Sequence, residues 1–464
     1  MHQQNYRKLL MLLLISLVSI SGFAQTLSLY DAVNRSISNY PLIQQRQSEV
    51  AASKAHISTV NANRLPSLKI LEEVNVGTAN NLPGGYFSLG IIPSLSGSIT
   101  SQENTNTMSG NFAVSYLEWQ FYTFGYYNAQ KKNAEAALST TTAILNGDKY
   151  LLTENTIALY LDWVKKYRLL QIEKENLQRS ETIFNAIRAT VQSGLKPGVD
   201  SSTAGAVYAR SRIAYIQAQN EYQNDLISMA TYTGLRTDNI VPDTNVVADA
   251  DKLNINSIAS SDSVALNNPL LDIYEKQYEQ QLSQNKVLSR VFLPKLSLEG
   301  AGWMRGSSIS PTNVYASDLS NGLSYTRSNY LFGLSLSYNI TDIKHQHDQI
   351  VEGRYYAQAK QQALQTQQLT LGRILQQANA AYASTLLKLN ELPIQLGSSQ
   401  QAYEQQMALY RAGLNTLIDV TNAQFVLKQT ETDYVLVQDD LLQLLYIRAG
   451  YNNQLDNFLQ NFKK

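Results

Sequence analysis

The chain is written twice. "NYPLIQQRQSEVAASKAHISTVNANRLPSL" from Asn39 and "NNPLLDIYEKQYEQQLSQNKVLSRVFLPKL" from Asn267 open and close alike, and Pro41 to Pro66 and Pro269 to Pro294 each span 25 positions. Farther along, "VQSGLKPGVDSSTAG" from Val191 and "YRAGLNTLIDVTNAQ" from Tyr410 share a Gly-Leu with an Asp six residues after the glycine. Gly194 and Gly413 stand 219 positions apart, as do Asp200 and Asp419. A duplication of this extent predicts two copies of one supersecondary unit.

Within each copy the period changes in the same order. The segments between the paired prolines lack Gly and Pro and are rich in Ala, Gln, Leu and Ser, so each reads as a helix that proline ends. Strand patterns follow, at about 67–77 and 110–122 in the first copy and about 295–303 and 329–341 in the second. The clearest is "LFGLSLSYNIT", where Phe332, Leu334, Leu336, Tyr338 and Ile340 fall on one side and Gly333, Ser335, Ser337 and Asn339 on the other. Gly-, Asn- and Ser-rich stretches join the strands of each pair.

A helical period then returns over the 69 positions from Gly125 to Gly194, which as continuous helix reaches on the order of 100 Å. Beyond the glycine it resumes, with Tyr208, Tyr215, Tyr222 and Met229 at sevens, and Leu427, Tyr434 and Leu441 at the same phase in the second copy. Shared heptad spacing predicts helices packed side by side as in a coiled coil. Gly194-Leu195 and Gly413-Leu414 are then the tips of two helical hairpins. The expected order is helix, strand, strand, very long helix, turn, helix, over 25–235 and again over 262–450. Residues 236–261 form a connector and 451–464 a tail.

Composition narrows the function. Lys and Arg number 37 and Asp and Glu 37, so no basic field for nucleic acid is present. Residues 1–24 read as a signal peptide: Arg7 and Lys8, an apolar run Leu9 to Ile20, then Gly22-Phe23-Ala24 before a cleavage site at Gln25. The chain holds no cysteine, so no lipidated cysteine follows the signal. No phosphate loop, dinucleotide fingerprint or nucleophile elbow occurs, so no cofactor is expected and no catalysis. His345-Gln346-His347-Asp348 reads as a solvated helix start, because residues two apart diverge on a helix. Pro393 is expected to kink the second long helix.

With these marks in order, "SLYDAVNRSISNYPLI", "LPSL" and "LPKL", "FYTFG" at Phe121 to Gly125, the two tip motifs and the duplication, the mature chain resembles the TolC family of bacterial outer-membrane efflux proteins. The resemblance implies a mainly α fold with a membrane β-barrel portion: a homotrimer whose four strands per chain build a twelve-stranded barrel in outer-membrane lipid, continued by an α-helical coiled-coil tunnel across the periplasm. It implies a channel that works with a periplasmic adaptor and an inner-membrane transporter in efflux or type I secretion. Four strands cannot close a transmembrane barrel alone, and sheet edges are not tolerated in lipid.

The resemblance also directs attention to the tips. Asp200, Asp419 and Tyr410 match entrance positions of the family. Asn415 stands where a locking arginine is found and Asn422 where a further acidic residue is found, so the entrance must be held by other contacts. Lys344 replaces the glycine equivalent to Gly125. The aspartates are candidates for a cation-favouring ring at the entrance, or else for caps of the returning helices. Gly194, Leu195, Gly413 and Leu414 are candidate adaptor contacts, and Phe332, Leu334, Leu336, Tyr338 and Ile340 candidate lipid contacts. The competing reading is an exported coiled-coil scaffold or adhesin, which has no need of a strand with one apolar face.

Overall fold

A computed structural model of the chain describes residues 25–78, 102–194, 197–250, 264–310 and 314–463. The element order is β1 (Gln25–Leu27), α1 (Leu29–Asn39), α2 (Pro41–Ala62), β2 (Ser67–Gly77), β3 (Met108–Tyr122), α3 (Tyr126–Gln192), α4 (Gly198–Thr233), β4 (Ile240–Pro242) and α5 (Asn245–Ala250). There follow α6 (Pro269–Val291), β5 (Lys295–Ser307), β6 (Arg327–Ser337), α7 (Ile343–Arg411), α8 (Leu417–Tyr451) and α9 (Leu455–Gln460). Helices α3 and α7 run for 67 and 69 residues, and α7 stays helical through Pro393. Among the described residues no helix is long and apolar enough to cross a membrane.

The chain divides into two compact units that cut across the sequence repeat. One holds Ala52–Leu138 and Tyr278–Ala359; the other holds the rest. The first is built on a four-stranded antiparallel sheet of order β2-β3-β5-β6, so each repeat supplies one inner and one edge strand. Residues paired directly across antiparallel strands point to the same face. Leu68 lies opposite Leu117, Leu117 opposite Gly300, and Gly300 opposite Phe332. In the same register Trp119, Leu298 and Leu334 share that face with Ile70. The other face carries Lys69, Glu73, Glu118, Glu299, Arg305, Arg327 and Ser335.

The second half of the greasy stripe differs from the expectation. Strand β6 ends at Ser337, so Tyr338 lies beyond it and Ile340 opens a short 3₁₀ turn, Ile340–Asp342. The cause is Asn339. Its side-chain oxygen accepts from the Thr341 backbone N–H at 3.2 Å and from the Thr341 hydroxyl at 2.7 Å, giving the backbone a local partner in place of the ladder.

The other unit packs helices around one large apolar cluster. Trp163 and Tyr160 of α3, Met229 of α4, Leu442 and Leu445 of α8 and Phe458 of α9 are buried there. Full burial of such side chains contributes about 1.5–3 kcal/mol each. Of the residues at sevens, Tyr222, Met229, Leu427 and Leu441 are buried, while Tyr208, Tyr215 and Tyr434 are half-buried along the same seam. Strands β1 and β4 pair in parallel beside this core, where the Tyr160 hydroxyl donates to the Leu27 carbonyl at 2.7 Å and accepts from the Asp243 N–H at 3.1 Å. The final residues join the same core, with Leu459 and Phe462 buried.

Candidate functional site

The two hairpin tips share their geometry on one side only. Gly194 and Gly413 take φ of +77° and +75°, the left-handed conformation that ends a helix and that a side chain strains. The Gly194 N–H bonds to the Val191 carbonyl and the Gly413 N–H to the Tyr410 carbonyl, both at 3.0 Å. Leu195 lies outside the described residues, and Leu414 is 74% exposed. Val199 and Ile418, at matching offsets from the two glycines, are also exposed.

The returning helices start differently. Thr416 and Asp419 form a reciprocal capping box on α8: the Thr416 N–H and hydroxyl donate to the Asp419 carboxylate at 2.9 and 2.6 Å, and the Asp419 N–H bonds back to the Thr416 hydroxyl. Those bonds from Thr416 hold the Asp419 carboxyl below its ordinary range. On α4 the cap residue is Pro197, which provides no side-chain bond, and the Asp200 N–H bonds to its carbonyl at 3.2 Å. Asp200 is instead near Tyr410, whose hydroxyl is pushed up by burial and by the charge of Asp200. Asn415 donates to the Gln406 side-chain and backbone oxygens, at 2.5 and 3.2 Å, and Asn422 is exposed. A small apolar cluster of Ile183, Ile187, Ala204, Leu417 and Val420 packs below the tips, with Tyr410 against it. Beside it opens a groove of about 690 Å³ lined by Arg179, Thr182, Tyr403, Met407 and Arg411 among others.

Sequence reasoning missed the polar ladder between α3 and α8. Arg179 forms a bidentate pair with Glu431 at 2.9 and 2.7 Å, and Lys428 meets Glu173 at 2.6 Å. Gln424, buried, donates to Asn176 and Ser180 at 2.8 Å each, and Lys165 reaches Asp439 at 3.2 Å. These partners are some 250 positions apart in sequence, so no local spacing announces them. The ladder joins the first hairpin to the second.

The sheet is the other candidate surface. Phe332, Leu334 and Leu336 are 72, 73 and 66% exposed, and Ile70 on the opposite edge strand 80%. A largely apolar face left uncovered by the described residues calls for a non-aqueous neighbour. On the reverse face Ser335 donates to Glu299 at 2.7 Å.

The profile of the family described as outer membrane efflux protein matches residues 32–235 and again 261–445, one match for each copy of the repeat. The chain belongs to the outer membrane efflux protein family. Its members are channels of the outer membrane, and that is the class and the location of this protein. The fold agrees with solved channels. The structure is similar to CusC at a TM-score of 0.73 with 15% identity, covering 94% of this chain and 95% of that one. It is similar to the CmeC outer membrane channel of Campylobacter jejuni at 0.71 with 16% identity, covering 94% and 89%. The open state of the MtrE outer membrane channel of Neisseria gonorrhoeae gives 0.69 with 14% identity, covering 92% and 89%. Comparison with curated protein sequences gives no significant match.

Proposed function

We propose that this efflux protein is the passive exit duct of a tripartite system, assembled as a homotrimer whose three sheets close into a twelve-stranded barrel in outer-membrane lipid. The observation that carries the proposal is the sheet itself: among the described residues β2 and β6 each leave one edge unpaired, while the face they share is largely apolar and uncovered. Lipid satisfies that face, and only a neighbouring β6 against β2 satisfies the edges. The polar face, with Glu118, Glu299 and Arg327, then lines water.

In this reading residues 1–24 direct export and are removed, and no lipid anchor follows. A periplasmic adaptor engages the hairpin tips, where Leu414, Ile418 and Val199 offer exposed apolar side chains beside Gly413 and Gly194. An inner-membrane transporter supplies the energy and selects the cargo, and the duct itself performs no chemistry. Asp200 and Asp419 from three chains place six carboxylates around the entrance and favour cations. Crosslinking of the full-length protein purified from outer membranes in detergent tests the assembly. A ladder ending at the trimer is expected; a water-soluble monomer contradicts the proposal.

A further inference from the structure

A second charged cluster lies well away from the tips, between α3 and α4. Lys165 is bonded to Asp162 on its own helix and to Asp439 of α8, and Lys166 is bonded to Glu221 of α4 at 2.7 Å. Both lysines are thereby committed to other carboxylates. Asp225, one turn beyond Glu221 on α4, has its Oδ2 buried with no donor, and because Lys166 meets Glu221 across the antiparallel pair, Asp162, one turn before Lys166 on α3, stands opposite it. Two carboxylates set against each other, one without a donor, form a hydrogen bond only if a proton lies between them.

We propose that Asp162 and Asp225 form a proton-operated clasp: in mildly acidic medium one shared proton joins α3 to α4, and its loss sets two like charges against each other and loosens the first hairpin. The surrounding charges assign the proton to one partner. Burial pushes the Asp225 carboxyl up to about 6, and the facing Asp162 charge pushes the same way, against the pull of Lys166 and Lys165. Burial acts on Asp162 in the same sense, but the bond and charge of Lys165 prevail and hold it below its ordinary range. Glu221 is held low by its bond to Lys166, and Asp439 is raised by burial against the pull of Lys165.

The sign follows from linkage. A carboxyl that binds its proton more tightly in the folded than in the unfolded chain stabilises the fold below the unfolded value of 3.8, and that contribution is lost as pH rises through about 6. The clasp therefore closes on acidification. Its consequence for transport rests on the channel reading: a stiffer first hairpin at acidic pH keeps the entrance closed for longer.

The purified full-length protein is followed by thermal unfolding at about pH 5 and about pH 8, comparing wild type with Asp225→Asn, which keeps the bond without needing the proton. The variant's Tm should match wild type at the lower pH and exceed it at the higher, with the gap opening near pH 6. Asp162→Asn, which removes the facing charge, should move that transition to lower pH. Asp440→Asn, at an exposed position on α8, should show a constant gap. A constant gap for Asp225→Asn, or a step shared by Asp440→Asn, overturns the clasp without touching the channel reading. In single-channel records the wild-type open fraction should fall on acidification while that of Asp225→Asn stays level. An open fraction with the same pH dependence in both proteins overturns the link to the entrance.

Discussion

The two repeats match in plan and differ in how each is fastened. Both hairpins turn at a glycine with φ near +75° and both place an aspartate six residues later. In the second hairpin that aspartate belongs to a capping box with Thr416; in the first, proline occupies the cap position and Asp200 remains available to Tyr410 of the other hairpin. The passage from strand to helix diverges as well. Repeat one crosses it with Phe124 and Gly125 both at positive φ, whereas repeat two, with Lys344 in place of the glycine, uses the Asn339-capped 3₁₀ turn. Equal spacing in sequence therefore fixes where a residue sits and leaves open what it does, because the role depends on which donor stands three residues before it.

The sheet shows the same asymmetry on its apolar face, and the largest expected effect lies there. Strand β6 carries Tyr330, Phe332, Leu334 and Leu336 without interruption, while β2 carries Glu72 in its row, bonded to Tyr325 at 2.5 Å. Leu334→Arg should cost about 2–4 kcal/mol of membrane assembly if the site is near mid-bilayer, read as loss of folded trimer in urea titrations in lipid vesicles. Ser335→Arg, on the polar face, should assemble and change conductance instead. Equal responses from the two would show the strand register to be wrong.

Next is the bond between repeats. Arg179 and Glu431 each keep about 19% of their side chains exposed, so Arg179→Met should lower stability by about 2 kcal/mol, largely by leaving Glu431 without its bidentate partner. Arg179→Met with Glu431→Met should cost less than the two single changes together in chemical denaturation. Additive costs would mean that the ladder does not couple the hairpins.

The tips sharpen the comparison at smaller scale. Thr416→Ala should cost about 1 kcal/mol through loss of the capping box, while Pro197→Ala, which removes no side-chain bond, should fall near zero in the same assay. Since Asp419 is held low by Thr416, the box contributes fully above about pH 3.8 and is lost as pH falls through the lowered value. The smallest effect is Tyr410→Phe. With Asn415 in place of the family's arginine and turned back onto Gln406, conductance should change little. A large rise would show that the Tyr410 hydroxyl holds the entrance through partners other than Asn415.

Much of this plan is legible in the sequence itself. The duplication, the two long helices, the glycine tips and the four strands all rest on local signals: periods of two and seven, proline stops, and left-handed glycines. Three things were not legible. Tyr338 and Ile340 continue the alternation of β6 in sequence, yet Asn339 ends the strand by bonding forward to Thr341. The Arg179–Glu431 and Gln424–Asn176 contacts join distant segments whose charges read as ordinary solvated helix faces. Asp162 and Asp225 likewise look like surface acids until packing sets them opposite each other.

The proposed trimeric, water-filled and cation-favouring duct is open to single-channel recording across a salt gradient in a planar bilayer. Discrete current steps are expected from the purified trimer, with a reversal potential on the cation side that shrinks when Asp200→Asn and Asp419→Asn are combined. Absence of discrete steps, or a reversal potential that the double variant leaves unchanged while its thermal stability falls, would contradict it, the second result showing the tip aspartates to be caps alone.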